Sequence, residues 1–267
     1  MLYLVRMPEL EDTLSPALIT KDLKTRFVGQ RVIYRPTLTS TMEVAREEAK
    51  RGAAEGTIVV ADEQTAGRGR LQRAWLSPRG NIALSVILRP EIKHLPSLTM
   101  LASLVVTRSI AAVTALKPRL KWPNDVLING KKVCGILIES SVRADRVDYA
   151  IIGIGINVNL RLEDYPEILP IATSLSHELK KEVPRLSLIQ NLLVEIEKLY
   201  LAISEGQSIF EEWRDSLVTL GKRVRVKSGD AFLYGIAESV TTDGSLLLRR
   251  PDGTLDKILA GDVTLQD

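Results

Sequence analysis

Hydrophobic and polar positions along the chain predict helices and strands mixed over the first 220 residues. Runs of β-branched and other apolar residues predict strands at residues 31–35, 57–61, 82–88 and 147–156. Apolar residues at helical spacing predict helices at residues 16–26, 98–116, 187–204 and 209–219. Ser40, followed three residues later by Glu43, has the pattern of a capping box, so another helix is expected to begin there.

The dipeptide Asn129-Gly130 lies between two apolar runs and predicts a tight hairpin that pairs residues 126–128 with residues 133–138. Hairpin signals outnumber strand–helix–strand alternation in this part of the chain. The predicted fold class is therefore α+β, with helices packed on a mixed, mostly antiparallel sheet.

The pattern changes at Gly221, after which tight turns separate short runs of strand residues. These runs predict strands at residues 222–227, 232–239, 245–250 and 254–260. Short strands at this spacing favour a small β-barrel. We therefore expect an N-terminal extension, a larger domain and a small C-terminal β-domain, at residues 1–30, 31–220 and 221–267.

Composition narrows the class of protein only a little. The 36 basic and 33 acidic residues leave a net charge of +3, which is too small by itself to indicate a nucleic-acid partner. A single cysteine cannot form an internal disulfide, which fits a reducing cytoplasm. No apolar run has the length of a signal peptide or approaches the roughly 20 residues of a membrane span. We expect a cytoplasmic protein without a membrane segment.

The loop at residues 67–75, with the sequence Gly-Arg-Gly-Arg-Leu-Gln-Arg-Ala-Trp, is the most informative segment. Its glycines let backbone approach a ligand closely, and its arginines suit carboxylate and phosphate groups. Trp75 offers a flat surface on which a purine could stack. The Gly-Lys-Ser/Thr ending of a Walker A loop is absent. Taken alone, the segment could equally be a solvated loop or an arginine-rich patch for nucleic acid.

Two further segments carry candidate chemistry. Lys-Trp-Pro-Asn-Asp at residues 121–125 precedes the hairpin, and Lys132 lies where that hairpin enters a buried strand. Ordinary turn chemistry is the alternative interpretation of either feature. Gly153 and Gly155 interrupt an apolar strand, which indicates close approach of a ligand or another chain, or a β-bulge.

These segments, in this order, resemble the catalytic domain of biotin–protein ligases. The resemblance rests on Gln64 with the glycine–arginine loop, residues 121–125, Lys132 with Gly135, and Gly-Ile-Gly-Ile-Asn at residues 153–157. Ser40 and Thr41 match the start of the family's Ser-Thr-Asn element, whereas Met42 stands where the family usually has Asn. The resemblance runs from about Ile33 to the C-terminus. It implies a class II synthetase-like catalytic domain followed by an SH3-like barrel.

By resemblance, the chain is an ATP-dependent ligase that forms biotinyl-5′-AMP and transfers biotin to a lysine of a biotin carboxyl carrier domain. The residues expected around biotin are Ser40, Thr41, Gln64, Gly67, Arg68, Gly69, Arg70, Lys132 and Gly135. Those expected around ATP are Arg70, Trp75, Asn124 and Asn157. The residues expected in catalysis are Lys132, Arg70 and Asp125, with Asp125 as a proton acceptor or orienting group. Mg²⁺ is expected on the ATP triphosphate rather than in a metal site of the protein.

Repressor-type relatives carry a winged helix-turn-helix ahead of the catalytic domain. Only about 30 residues precede the first matching strand here, so we expect no DNA-binding domain and no nucleic-acid partner. A homodimer is the oligomer that the resemblance suggests.

Two other functions stay open. One is a lipoate or octanoate ligase on the same scaffold. The other is a non-enzymatic nucleic-acid-binding protein that uses the arginine loop and the barrel. The barrel holds only Phe232 and Tyr234 as aromatic residues, which argues against a base-stacking surface.

Overall fold

The computed structural model describes residues 12–229 and 231–266, so the first eleven residues of the expected N-terminal extension lie outside the described residues. Seven strands form the larger sheet: β1 (Val32–Leu38), β2 (Ile58–Gln64), β3 (Ile82–Leu88), β4 (Arg119–Lys121), β5 (Asp125–Ile128), β6 (Lys131–Arg143) and β7 (Arg146–Ile156). Their spatial order is β1-β2-β3-β7-β6-β5-β4. Only β1 and β2 pair in parallel, and every other neighbouring pair is antiparallel. The predicted α+β class with a mostly antiparallel sheet is confirmed.

Within the described residues, six α-helices accompany this sheet: α1 (Pro16–Thr20), α2 (Thr41–Lys50), α3 (Ser97–Thr114), α4 (Leu175–Leu179), α5 (Arg185–Ser204) and α6 (Phe210–Asp215). The main core lies between one face of the sheet and helices α3 and α5. A smaller core lies on the opposite face, where Met42 and Ala45 of α2 pack against Val59 and Ile151. Because both faces of the sheet are covered, the central strand β3 is buried along its whole length, and Ser85 is its one polar residue.

Helix α3 is long and apolar enough to span a membrane by length and composition, which the sequence analysis did not anticipate. More than half of its residues are buried inside the protein, and it packs against α5 and the large sheet. An apolar helix buried on most sides is the expected composition of a core helix.

The hairpin prediction is confirmed. Asn129 and Gly130 both have positive φ, +50° and +78°, and connect β5 to β6. The helix predicted at 16–26 stops at Thr20, and Asp22 then adopts a left-handed conformation with φ +58°. The helix predicted at 209–219 stops at Asp215, because Leu217 pairs with Leu120 and extends the chain along β4.

A second, fully antiparallel sheet comprises β8 (Arg223–Ser228), β9 (Ala231–Val240), β10 (Leu246–Arg249), β11 (Leu255–Ile258) and β12 (Asp262–Leu265). The spatial order is β11-β10-β9-β8-β12. Four of these strands were predicted. Strand β12 was missed because only Val263 of its four residues is buried, which leaves too short an apolar pattern to detect.

The two sheets are joined through the Lys-Trp-Pro-Asn-Asp segment. The buried Trp122 indole donates a hydrogen bond to the Gly244 carbonyl at 2.8 Å, and the Trp122 backbone N–H donates to Thr219 Oγ1 at 2.9 Å. Trp122 therefore fixes residues 121–125 relative to the C-terminal sheet.

Candidate active site

A cleft that is partly open to solvent lies where the start of α2, the end of β2, the glycine–arginine loop and strands β5 to β7 meet. The predicted site residues that line it are Ser40, Thr41, Gln64, Arg68, Gly69, Arg70, Trp75, Asn124, Asp125, Lys132 and Gly135. Gly67 and Asn157 do not line it. Side chains from separate segments of the sequence thus converge on one cavity.

The inner end of the cleft is organised by Thr41. Its backbone N–H and its hydroxyl both donate to Gln64 Oε1, at 2.8 and 3.1 Å, and the hydroxyl also accepts a hydrogen bond from Ser85 at 2.9 Å. Because the Gln64 carbonyl oxygen is occupied in this way, the amide NH₂ is the group left to contact a ligand.

Two polar side-chain atoms in the cleft are buried without a hydrogen-bond partner among the described residues: Ser40 Oγ and Arg68 Nη2. Ser40 precedes α2, as predicted, but its side chain makes no capping bond. The capping box is therefore wrong in detail, since Glu43 accepts a hydrogen bond from Thr39 instead, at 2.8 Å. Buried donors normally have partners, so these two atoms indicate the position of a polar ligand.

Glycines make room for bulky side chains on the cleft floor. A Cβ atom on Gly153 would lie 2.5 Å from Met42 Sδ, and one on Gly155 would lie under 3.0 Å from the Trp75 indole. Both glycines keep regular pairing with β3, so the bulge considered from sequence is not present at these positions. The close approach predicted there is real, but the approaching groups belong to this chain.

Lys132 lies against the indole, with 5.4 Å between its Nζ and the centroid of the Trp75 ring. The same ammonium pairs with Asp125 Oδ1 at 2.6 Å, and Lys121 lies 3.8 Å from the other carboxylate oxygen. Asp125 and the two lysines thus form a charge cluster, in which Asp125 holds Lys132 at the cleft wall. A bound anion could compete with Asp125 for the ammonium.

Arg70 also lines the cleft. Its Nη1 donates to Asn124 Oδ1 at 3.1 Å, and Asn124 in turn donates to the Ile136 carbonyl at 2.6 Å. Burial lowers the pKa of the Arg70 guanidinium, while the carboxylates of Asp262 and Asp125 raise it. A partly desolvated cation that the protein does not fully neutralise is suited to an anionic ligand.

The glycine–arginine loop folds back on itself as a short hairpin. Trp75 N–H donates to the Gly67 carbonyl at 2.8 Å, and Gly69 N–H donates to the Arg73 carbonyl at 2.8 Å. A Cβ on Gly67 would clash with the Trp75 carbonyl oxygen. Gly67, which was expected to contact biotin, is therefore required for the fold of the loop and lies outside the cleft.

A second cavity, which is also partly open to solvent, adjoins the first. Trp75, Asp125 and Lys132 line both cavities, and Asn157 lines the second one. Asn157 is buried and donates to the Thr173 carbonyl at 3.0 Å. The predicted nucleotide contacts are therefore divided between two connected cavities, with Trp75 at their boundary.

The C-terminal sheet contributes residues to the cleft that were not predicted from the sequence. Gly261 and Asp262 line the cleft, and Asp262 Oδ2 pairs with Arg73 Nη2 at 2.5 Å. No signal in the sequence singled out these residues, because Asp262 begins β12, the strand that was not predicted, and Gly261 immediately precedes it.

Cys134 is fully buried beneath the cleft floor, and burial raises the pKa of its thiol well above the usual value. It remains a neutral thiol at physiological pH, as is usual for a small buried cysteine on an apolar strand. Across residues 12–229 and 231–266, no group of three or more His, Cys, Asp or Glu side chains could hold a metal ion.

Comparison with known proteins agrees with this geometry. Residues 34–157 match the biotin/lipoate A/B protein ligase family, and residues 219–265 match the biotin protein ligase C-terminal domain. The bifunctional ligase/repressor BirA of Bacillus subtilis is 42% identical over 94% of this chain and 79% of its own length. Biotin–[acetyl-CoA-carboxylase] ligase of Mycobacterium tuberculosis is 31% identical over 94% of this chain and 97% of its own.

A similar solved structure is the biotin protein ligase of Aquifex aeolicus in complex with biotin and ATP. It has a TM-score of 0.76 and 32% identity, and the alignment covers 89% of this chain and 99% of that one. The fold and the cleft define an enzyme that joins a small carboxylic acid to a protein. The chain belongs to the biotin protein ligase family.

Proposed function

We propose that this protein uses ATP to convert biotin into biotinyl-5′-AMP and then attaches biotin to a lysine of an acceptor protein. The observation that carries the proposal is the convergence of Arg68, Arg70 and Lys132 on one cleft whose inner end presents unpaired polar atoms. Two anionic reactants repel each other in water, and fixed cations in a partly desolvated cleft offset that repulsion.

Biotin would lie with its polar ring at the inner end of the cleft. There the Ser40 hydroxyl, the Gln64 amide and the Arg68 guanidinium offer hydrogen bonds. Thr41 acts indirectly, because its own polar atoms are already engaged with Gln64 and Ser85. Met42 packs into the space above Gly153, so it supplies an apolar wall where the family usually has an amide.

In the first step, a biotin carboxylate oxygen attacks the α-phosphorus of ATP. The new P–O bond forms as the bond to pyrophosphate breaks, which gives a mixed anhydride. Arg70 and Lys132 both line the cleft and would stabilise the charge that develops on the phosphate oxygens. The Gly69 segment of the loop would exclude water from the reactive product.

In the second step, the acceptor lysine attacks the acyl carbon, AMP leaves, and the amine loses a proton. Asp125 is engaged by Lys132 in the structure. When Lys132 turns to the substrate phosphate, the carboxylate becomes able to accept a hydrogen bond from the incoming amine. Asp125 would therefore orient that amine and receive its proton.

ATP would occupy the second cavity, with its base against Trp75 and near Asn157. Asn124 is held by Arg70 and by the Ile136 carbonyl, so it would position Arg70 as well as approach the nucleotide. Mg²⁺ would enter with the triphosphate and neutralise part of its charge.

The acceptor would be the biotin carboxyl carrier domain of a biotin-dependent carboxylase. A homodimer and a cytoplasmic location stay predictions; a buried cysteine kept as a thiol fits a reducing compartment.

The direct test is to incubate the protein with ATP, Mg²⁺, biotin and a carrier domain, and to measure the mass of the carrier. Addition of one biotinyl group at a lysine is expected, together with biotin-dependent pyrophosphate–ATP exchange. Parallel reactions with lipoate and octanoate distinguish the related acids. Exchange that depends on lipoate and not on biotin would contradict the proposal.

A further inference from the structure

The outer face of the C-terminal sheet presents a basic–aromatic surface that the two reaction steps above do not use. Strand register places Arg223 opposite Ile236, Arg225 opposite Tyr234, and Lys227 opposite Phe232. We call these six residues the basic–aromatic face. Their neighbours Val224, Val226 and Ala237 point inward and are buried. The alternation is that of a sheet with one covered side, yet its solvent side carries large apolar groups.

The exposure of these side chains is unusual for apolar residues. Phe232 is 50% exposed, Tyr234 47% and Ile236 43%. The guanidinium of Arg225 lies 5.2 Å from the centroid of the Phe232 ring, and Lys227 Nζ lies 5.9 Å from it. A contiguous apolar patch bordered by polar groups marks an interaction surface more often than isolated exposed residues do.

The cations of this face have no carboxylate partner in the part of the chain that the structure describes. Other basic residues of the same sheet are paired: Arg249 with Glu238, Arg250 with Asp256, and Lys257 with Asp243. Arg223, Arg225 and Lys227 thus form no ion pair within the described residues, and the carboxylate beside Lys227, that of Asp262, is engaged by Arg73. An anionic partner is the complement of such a surface.

The basic–aromatic face is continuous with the rim of the active site. Strand β12 pairs with β8 so that Thr264 lies beside Arg225 and Asp262 beside Lys227, with side chains on the same side of the sheet. Asp262 lines both cavities, and Thr264 lines the second one. A macromolecule bound to this face would therefore lie next to the opening of the cleft.

We propose that the basic–aromatic face docks an acidic surface of the protein that accepts biotin; this rests on the proposed function. The face suits a protein better than a nucleic acid, because it has only two aromatic side chains and its third apolar residue, Ile236, provides no stacking surface. Its place beside the cleft mouth lets a docked domain direct one lysine into the active site. Docking there raises the rate of encounter and leaves adenylate formation unaffected.

The test reverses two charges, with Arg225→Glu and Lys227→Glu in one variant. A matched control reverses two exposed lysines that lie away from the cleft, with Lys117→Glu and Lys181→Glu. Three rates are measured for each variant: pyrophosphate exchange, transfer of biotin to hydroxylamine, and transfer to a carrier domain. The face variant should lose about tenfold or more in kcat/KM for the carrier domain and keep the other two rates. Its carrier reaction should also become less sensitive to salt.

A value of kcat/KM for the carrier domain equal to that of the control variant would overturn docking at this face. Loss of all three rates in the face variant would also overturn it, since the charge reversal would then act on the catalytic cleft. If charge reversal removes binding of a short RNA and leaves carrier transfer unchanged, the face binds nucleic acid instead. If the unaltered protein shows no biotin-dependent pyrophosphate exchange, the proposed function is wrong. That result differs from a failure of docking, in which exchange is normal in every variant.

Discussion

Arg73 of the glycine–arginine loop and Asp262 of the C-terminal sheet form an ion pair, with 2.5 Å between Nη2 and Oδ2. The loop covers the cleft and belongs to the catalytic domain, whereas the carboxylate belongs to the smaller sheet. The pair therefore connects the position of the loop to the packing of the two sheets. Both side chains remain partly exposed, so water and salt weaken the attraction.

Asp262→Arg should speed the escape of biotinyl-adenylate from the enzyme, because it places two positive charges side by side where the loop is held. Exposed ion pairs contribute about 0.2–1 kcal/mol, so an acceleration of up to about fivefold is expected. The measurement is the rate at which pre-formed adenylate is released after dilution. The double variant Arg73→Asp with Asp262→Arg restores opposite charges and should recover most of the retention. If the double variant releases biotinyl-adenylate as fast as Asp262→Arg does, the ion pair has no role in retaining it.

Gly155→Ala should displace the Trp75 indole, since the added Cβ would lie under 3.0 Å from its ring. The expected result is a rise in the KM for ATP with a smaller change in the KM for biotin. Tryptophan fluorescence reports the movement, because Trp122 and Trp213 are both buried and only Trp75 can become more accessible to acrylamide. An unchanged quenching profile together with an unchanged KM for ATP would show that the indole does not respond to Gly155.

Local sequence patterns were sufficient for most of the fold. The Asn129-Gly130 turn has a conformation that few dipeptides adopt, so its hairpin could be recognised from two residues. The candidate site could also be predicted from the sequence where its residues are adjacent in the chain, as in the glycine–arginine loop. The chemistry of a short contiguous segment can be inferred from its residue types without knowing how the segment packs in the folded protein.

Other parts of the site depend on contacts that no local pattern encodes. Asp262 reaches the cleft through the packing of the C-terminal sheet on the larger domain, to which the Trp122–Gly244 hydrogen bond contributes. The glycines of β7 could be interpreted as places of close approach, but the sequence did not reveal that Met42 and Trp75 are the approaching groups. Ser40 was predicted as a capping residue by spacing, and tertiary packing left its hydroxyl facing the cleft instead.

Ser40→Ala should weaken biotin binding without lowering stability. Its hydroxyl caps nothing, and removing an unpaired buried polar atom is not expected to destabilise the protein. Loss of one ligand hydrogen bond corresponds to about 0.5–1.5 kcal/mol, so the Kd for biotin should rise about two- to twelvefold. Isothermal titration measures the affinity, and urea unfolding measures the stability.

Ser15→Ala is the matched comparison for Ser40. The Ser15 hydroxyl accepts a hydrogen bond from the Leu18 N–H at 3.2 Å and caps α1. Its removal should cost about 0.5–2 kcal/mol of unfolding free energy and leave biotin affinity unchanged. If Ser40→Ala instead lowered the unfolding free energy and left the affinity for biotin unchanged, the ligand would not bind at Ser40.

Tyr34 should make the protein less stable in alkali. Burial, followed by the hydrogen bond to Asp62 at 2.5 Å, raises the pKa of Tyr34 from 10.0 to about 12. A group whose pKa is raised by folding stabilises the protein below its unfolded pKa, and this stabilisation is lost as pH rises from about 10 to about 12. Tyr34→Phe should flatten the fall in unfolding free energy over that interval. Equal slopes for both proteins would show that the phenol does not contribute.

Lys132→Ala tests the charge on which the chemistry depends. One positioned donor that stabilises developing negative charge is worth about 10²–10³ in rate, so pyrophosphate exchange should fall by that factor. The control is Lys131→Ala on the same hairpin, whose ammonium donates to the Leu169 carbonyl at 2.9 Å and does not line either cavity. It should retain near-normal exchange, although the two substitutions remove the same charge one residue apart.

Lys132→Arg distinguishes charge from shape: the guanidinium keeps the charge but must fit beside Trp75 and Asp125. A Lys132→Ala protein that exchanges pyrophosphate as fast as its Lys131→Ala counterpart would remove Lys132 from the reaction.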